Sequence, residues 1–460
     1  MWEEPRVSFS GQGTFDPATA TLKIERTSLA TANASFAAAG TLGKLTSTAE
    51  ADLSGEVTYD LALVTQQIQA IAARSAKPGA ASLPYGLDTL QLTGKQKRQF
   101  VLKGPLLAAT SNLTSAASPT GGSSSASFQI SAALSGEASL GWEGAQYVGL
   151  VSGPADFRAR LAGGIVSVGP LDIPLSEGRL KTAPRILLND RVPSVVLDRG
   201  PLIENVRISP EMCSLWLKFV APLVAEATRA EGKFSLSLEG ATVPISAPMQ
   251  SDVAGTLAIH TAQIGPGPLA QQYVGMYQQI RSLVSPASGG APAEAESSRG
   301  LLVMPQQDVR FEVRDGAVYH RGLQLTIGNT VITTEGSVGI ETQELNLMTS
   351  VPLQESWFKN QATLAAAFKG QSLKIPVRGT LSQPKLDTRA IQDLTKQLAG
   401  AAVQGALNKG IERGQGALDK QIGKGQETLQ REMSKGLNKL FGPLQPQQPQ
   451  STAPPPAPRP

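Results

Sequence analysis

The chain has 460 residues, long enough for two to four domains, of which 17% are charged and 5% aromatic. A net charge of +4 is too slight for a nucleic-acid footprint, and a single cysteine, Cys213, excludes an internal disulfide. With 46 Gly and 32 Pro, and with Val, Leu, Ile and Thr alternating with polar residues, the composition points to extended β structure. The apolar residues are patterned, which separates the chain from disordered sequences.

The start, Met1 to Arg6, lacks the basic and apolar regions of a signal peptide, and no apolar run reaches the roughly 20 residues that cross a bilayer. The chain opens almost directly on a strand, VSFSGQGTF, so an N-terminal piece is expected to be missing, through a fragment or a misplaced start. Residues 5–60 form short alternating runs broken by glycines, each the length of one strand. Leu61, Val64, Ile68 and Ile71 share one face of a predicted helix over 61–74. Residues 1–109 make a first β-rich part, and the Ser/Gly-rich stretch 110–127 reads as a linker or exposed loop.

Strands resume at Phe128 within a second β region, 128–285. There Ser209-Pro210-Glu211 predicts a cap and first turn of a helix running to about Arg229 and kinked at Pro222. Cys213 lies in the apolar run MCSLWLKFVAPLV and reads as a buried, inert thiol. A second helix is predicted over 268–284, followed by a Pro/Ala/Ser linker at 286–299. The clearest β block is 300–387. Val309, Phe311 and Val313 face one way, and Arg310, Glu312 and Arg314 the other. Turns are predicted at Asp315-Gly316, Gly328-Asn329 and Glu341 to Glu344.

From 388 to 441 the chain reads as an amphipathic helix, with an eleven-residue repeat at 406–416, 417–427 and 428–438. Eleven residues fill three turns, so Leu407, Ile411, Leu418, Ile422, Leu429, Met433 and Leu440 form one apolar stripe opposite a row of Lys and Arg. Its many glycines each cost up to about 1 kcal/mol of helix propensity, so this helix needs a surface to lie on. Three surfaces are open: the edge of the sheet, an anionic membrane, or a partner helix. Residues 442–460 hold eight prolines and read as a disordered or polyproline tail.

Signs of catalytic chemistry are sparse. The two histidines, His260 and His320, each sit in a strand pattern without a second metal ligand nearby, and both read as structural. No zinc, phosphate-loop, calcium-loop or nucleophile-elbow motif occurs, so an enzyme is not expected, and no cofactor or metal is implied. A sheet of these strands has one apolar and one polar face. The apolar face is either closed into a sandwich or left as a curved, open groove for acyl chains. Along the best block the groove-lining residues would be Val309, Phe311, Val313, Val318, Leu323, Leu325, Ile327, Val338, Ile340, Leu345 and Leu347.

The order of motifs in the second half resembles the AsmA-like family of bacterial envelope proteins. The matching pieces are VRFEVRDGAVYHRG, then VITTEGSVGIETQELNLMTSVPL, then Val377 to Lys385 (VRGTLSQPK), then an amphipathic tail ending in KLFG. They cover about 140 residues in order, whereas the first 190 residues match only in general character. The resemblance implies a mainly β fold: a long twisted antiparallel sheet forming an open, taco-like groove, with a few inserted helices and the C-terminal amphipathic helix. It also implies a periplasm-facing place in the cell envelope and a role in lipid homeostasis or outer-membrane biogenesis. The expected partners are phospholipid or other acyl chains, a membrane surface and other envelope proteins. A β-rich extracellular scaffold or adhesin acting by surface contact is the alternative.

Replacing Ile411, Ile422 and Met433 with Asp is expected to release the tail from the surface it uses. Co-sedimentation with anionic liposomes falls if that surface is a membrane, and thermal stability falls if it is the sheet edge. No change in either measurement would reject both.

Overall fold

The computed structural model describes residues 7–75, 84–106, 130–227, 229–284, 302–358, 365–366 and 368–397. The chain divides into two compact units, residues 1–354 with 370–390, and residues 355–369 with 391–460. Among the described residues the first unit holds a single sheet of 25 strands. Seven rungs of this sheet consist of two collinear strands, so the 25 strands make eighteen rungs. We number these β1 (Ser8–Asp16), β2 (Thr21–Ala30), β3 (Ala34–Gly43), β4 (Glu50–Asp60), β5 (Gln91–Thr93 and Lys95–Pro105) and β6 (Ser135–Trp142 and Gly144–Tyr147). They continue with β7 (Leu150–Ser152 and Ala155–Ala162), β8 (Ile165–Val168 and Leu171–Leu175), β9 (Gly178–Thr182 and Arg185–Leu187) and β10 (Ser194–Leu197 and Gly200–Arg207). The series ends with β11 (Ala230–Pro244), β12 (Asp252–Ile264), β13 (Leu302–Met304 and Gln307–Arg314), β14 (Ala317–Ile327), β15 (Thr330–Gly339), β16 (Leu345–Pro352), β17 (Ser372–Gly379) and β18 (Pro384–Leu386).

Each rung pairs antiparallel with the rung before it and the rung after it in the chain. The described rungs therefore follow one another as a meander in chain order, as the alternating runs and turn residues predict. Four of its hairpins close through two-residue loops in which both residues have positive φ: Val148-Gly149, Gly163-Gly164, Ser176-Glu177 and Asp315-Gly316. That backbone matches the right-handed twist of the flanking strands. Only one of the four, Asp315-Gly316, was singled out from the sequence.

The rungs β5 to β10 are each broken once, at Gly94, Glu143, Gly153-Pro154, Gly169-Pro170, Ala183-Pro184 and Asp198-Arg199. The breaks in β5 to β7 adjoin one another, with Glu143 N donating to Thr93 O at 2.9 Å, and so do those in β8 to β10, with Val168 N donating to Pro184 O at 3.0 Å. Between β7 and β8 the line steps along the strand, where Gly169 N donates to Arg158 O at 2.9 Å, beyond Pro154. The line ends at β11, where Glu239 is bulged out between Leu238 and Gly240. Proline has no N–H for the ladder, and an interrupted ladder is where a sheet bends. The sequence marks this crease with prolines 154, 170 and 184.

Among the described residues of the first unit, three helices are inserted between rungs. Helix α1 (Leu61–Ser75) stands at the expected place, but its buried residues are Thr65 and Ala72, whereas Ile71 is exposed. The reason is local: the first piece of β5 has no strand on its α1 side, and Leu92 N donates to Thr65 Oγ1 instead, at 3.3 Å. Helix α2 (Pro210–Val220) begins at the predicted cap, with Met212 N donating to Ser209 Oγ at 3.2 Å, and contains a π turn at Cys213–Leu217. It ends at Val220 and does not run on to Arg229. Pro222 forces Ala221 out of the helical region, to φ −127 and ψ 76, and only a 3₁₀ turn follows at Pro222–Val224. Helix α3 (Pro268–Val284) has the predicted limits.

Within the second unit Phe358 and Phe368 stack at 5.6 Å, and Lys369 pairs with Glu355 at 3.2 Å. A helix over residues 389–397 begins where the amphipathic segment was expected. The eleven-residue repeats, with Leu407 to Leu440, the Pro-rich tail and both predicted linkers lie outside the described residues.

Gly336 tests the close approach of neighbouring rungs. It has φ 141, and a Cβ there would lie 2.2 Å from Asn346 O and 2.8 Å from Leu347 Cα. Gly336→Val is expected to destabilise the sheet by about 2 kcal/mol or more in denaturant unfolding. Gly240→Ala, where a Cβ meets nothing within 4 Å, is expected to stay close to wild type.

Candidate functional site

Register decides which residues share a face, and it carries one apolar face through the whole sheet. In β1, Phe9 pairs with Leu29 and Phe15 with Leu22. Leu29 pairs with Phe36 and Leu22 with Leu42 in β3. The row continues from Leu53 to Leu102 and from Gly55 to Phe100, while Val57, opposite Phe36, meets Arg98. Across β6 and β7 it reads Leu140 and Phe157, then Leu161 opposite Val166. It passes Ile186 and Val195 to Val243. On β12 and β13 it reaches Leu257 and Val309, and from there it runs by Val318, Val338 and Leu345, or by Leu347 and Val377.

Bulges keep this row on one side where the sequence shifts its parity. His320 pairs with Gly336 and Leu323 with Thr334, so one extra residue in β14 keeps His320 and Leu323 on the same face. The bulge in β2 does the same for Ile24 and Thr27, and the one in β11 for Leu238 and Ala241. Glycines on the apolar face make room for rings. Gly55 lies between Phe36 and Phe100, which stack over it at 4.6 Å, and a Cβ on Gly55 would come within 2.9 Å of the Phe100 ring.

The opposite face is a ladder of exposed ion pairs. Lys97 meets Glu56 at 2.6 Å, Lys103 meets Asp52 at 3.2 Å, Lys181 meets Glu204 at 2.8 Å and Arg185 meets Asp198 at 2.6 Å. Pairs this exposed contribute little to stability. Their consequence is orientation: one side of the sheet is committed to water.

The apolar face has two regimes. At the C-terminal end it is covered. Of the eleven residues predicted to line a groove, Val309, Phe311, Val318, Leu323, Leu325, Ile327, Val338, Leu345 and Leu347 are buried, while Val313 and Ile340 are half-buried. Helix α3 supplies part of the cover, burying Tyr273, Met276 and Ile280, and the Tyr273 hydroxyl bonds Thr349 Oγ1 on this face at 2.6 Å. Helix α2 and the turn after it bury Met212, Cys213, Leu217 and Leu223, and Trp216 meets Phe234 edge-on at 5.7 Å. Burial pushes the Cys213 thiol up to about 12, which keeps it protonated and inert.

Towards the N-terminus the same face is open among the described residues. Phe9 is 74% exposed, Phe15 54%, Leu29 41% and Phe36 37%. Leu53, Val57, Phe100, Leu102, Leu140 and Phe157 are half-buried. This part was missed in the list of groove residues drawn from the sequence. The alternation of residues 5–60 and of KQKRQFVLK carries its signal, which is weaker than the pattern of 300–387.

The polar constellations are modest. Ser235 Oγ and His260 Nε2 are 2.8 Å apart, and Asn205 N donates to that same Oγ at 3.0 Å. No carboxylate bonds the other ring nitrogen among the described residues, so the orienting member of a nucleophile–base–acid set is not seen there. A cavity of about 810 Å³ lies at hairpin ends beside Asp252, Arg314, Asp315 and Glu341, and one of about 390 Å³ lies on the crease beside Leu171, Lys181, Arg199 and Leu238. Among the described residues no group of His, Cys, Asp and Glu is placed to hold a metal, and no helix is long and apolar enough to cross a membrane. No family model, no curated protein and no solved structure matches the chain.

His320 lies within the covered face, with Nε2 3.3 Å from Thr334 Oγ1, and burial lowers its pKa from 6.5 to about 4. The unfolded chain therefore binds a proton that the fold refuses, so stability falls as pH drops from 6.5 towards 4, by up to roughly 3 kcal/mol. His320→Leu is expected to flatten the pH dependence of unfolding free energy across that window, measured by urea titration.

Proposed function

We propose that this is a non-enzymatic lipid-handling protein of the AsmA type, which shields or conducts acyl chains along the apolar face of its sheet. The observation that carries this reading is the continuous apolar face, uncovered over β1 to β7 among the described residues and backed by a charged face that water can wet. Exposing a sixteen-carbon chain to water costs on the order of 12 kcal/mol at about 0.8 kcal/mol per methylene. A strip of Phe, Leu, Val and Gly lowers that barrier without chemistry, so no short list of polar residues has to carry the activity. At about 4.8 Å per rung the face would run roughly 80 Å over eighteen rungs.

The covered end fits the same reading as a closed terminus, where α2 and α3 occupy the face that lipid would occupy elsewhere. The order of motifs over 300–387 supports an envelope location, with phospholipid as cargo and a membrane as the donor or acceptor surface. The scaffold alternative expects no lipid on the open face.

Lipid mass spectrometry of the purified chain, and reloading of a delipidated sample from phospholipid vesicles, test the proposal. Wild type is expected to carry diacyl lipid. Phe36→Asp with Leu102→Asp is expected to lower loading about tenfold or more while leaving the far-ultraviolet circular dichroism unchanged. A wild-type chain that takes up no lipid from vesicles would overturn the reading.

A further inference from the structure

Among the described residues, the first rung ends the sheet in a way that the last does not. Edge strands expose a row of unpaired N–H and C=O groups, and proteins normally guard them with proline, lysine, shortness or a covering element. The C-terminal edge has these guards. β18 is three residues long and begins with Pro384, β17 carries Pro376 and an outward Lys374, and the side chain of Gln272 from α3 donates to Pro384 O. Among the described residues β1 has none of them. It is nine residues long, contains no proline or lysine, bonds only β2 among the described residues, and is exposed at every position.

The sequence of β1 is nearly a palindrome. Around Gln12 it reads Phe9-Ser10-Gly11-Gln12-Gly13-Thr14-Phe15, with glycine matching glycine, hydroxyl matching hydroxyl and phenylalanine matching phenylalanine. Antiparallel pairing of two such strands centred on Gln12 sets Phe9 against Phe15 of the second copy, Gly11 against Gly13, and Gln12 against itself. Each phenylalanine then gains a cross-strand aromatic neighbour. A two-fold axis normal to the sheet makes this pairing and keeps the same face of both sheets on the same side.

We infer that β1 is a self-complementary edge, through which two copies of this chain join their sheets across a two-fold axis at Gln12. The partner is a second copy because a strand that reads alike in both directions matches itself antiparallel. The guarded far edge opposes head-to-tail growth, so assembly stops at two. The joined sheet has thirty-six rungs and one apolar face running through the junction, whose exposed Phe9 and Phe15 become interior to it.

Light scattering after size exclusion, together with single-cysteine crosslinking of the full chain, tests the inference. Wild type is expected to be a dimer. Gln12→Lys, which sets two ammonium groups opposite each other on an exposed face, is expected to raise the dissociation constant about tenfold or more with unchanged circular dichroism. Gln12→Cys is expected to crosslink to itself on oxidation, since paired antiparallel residues lie about 4.5–5.5 Å apart at Cα, within disulfide reach. Thr14→Cys alone is expected not to, because its own counterpart lies about 13 Å along the strand, whereas mixed with Ser10→Cys it forms the heterodimer. The native Cys213 is buried and does not compete. A chain that stays monomeric at every soluble concentration, a Gln12→Lys variant that dimerises as wild type does, or self-crosslinking at 14 as strong as at 12 would each overturn the inference.

Discussion

A strand sends successive side chains to opposite faces, so one uncompensated slip of register transfers its whole apolar set into water. In a meander of eighteen rungs that constraint is applied at every junction. The structure meets it with short turns that fix each hairpin and with bulges at the points where the sequence changes parity. The pairs Ile24 and Thr27, Leu238 and Ala241, and His320 and Leu323 all lie on the same side because one extra backbone residue separates them. The apolar face, the ion-pair face and the covered end all depend on that alignment.

Such a sheet is amphipathic, and its apolar face has to be covered by something. At the C-terminal end the chain supplies the cover itself. Helices α2 and α3 interrupt the meander on either side of β11 and β12, and their buried side chains lie against the neighbouring rungs. His320 shows how dry this region is: its neutral ring accepts the company of Phe311 and Thr334, and burial removes its tendency to titrate at physiological pH. Towards the N-terminus no inserted element within the described residues does the same, and large apolar side chains stay in contact with solvent. One sheet thus combines a self-sealed end with an open one, and breaks at glycines and prolines interrupt β5 to β10, partly within the open stretch.

Local turn and cap chemistry carried much of the fold. The alternating runs, the start of α2 at Ser209, the limits of α3 and the Asp315-Gly316 hairpin follow from side-chain periodicity and from residues with special backbone preferences. The end of α2 was placed too late, because Pro222 stops the helix where a kink was expected. Turns such as Val148-Gly149 and Ser176-Glu177 adopt positive φ at residues that do not advertise it, since the pull of two paired strands outweighs the local strain. On α1, Leu61, Val64 and Ile68 are half-buried while Ile71 is exposed, and a bare backbone N–H on β5 draws in Thr65, a polar residue, as its contact.

The sequence by itself determined that the protein is built from antiparallel strands with one apolar and one polar face, because a period of two is a local property that each strand displays alone. It also contained, in Phe9 to Phe15, a strand that reads alike in both directions. Which stretch of the apolar face is open was decided only by tertiary structure. Val309 and Leu325 alternate in the same way as Phe36 and Leu102, yet the first two are fully buried, whereas Phe36 is exposed and Leu102 half-buried. Burial depends on what is brought over a residue from elsewhere in the chain, and periodicity holds no record of it.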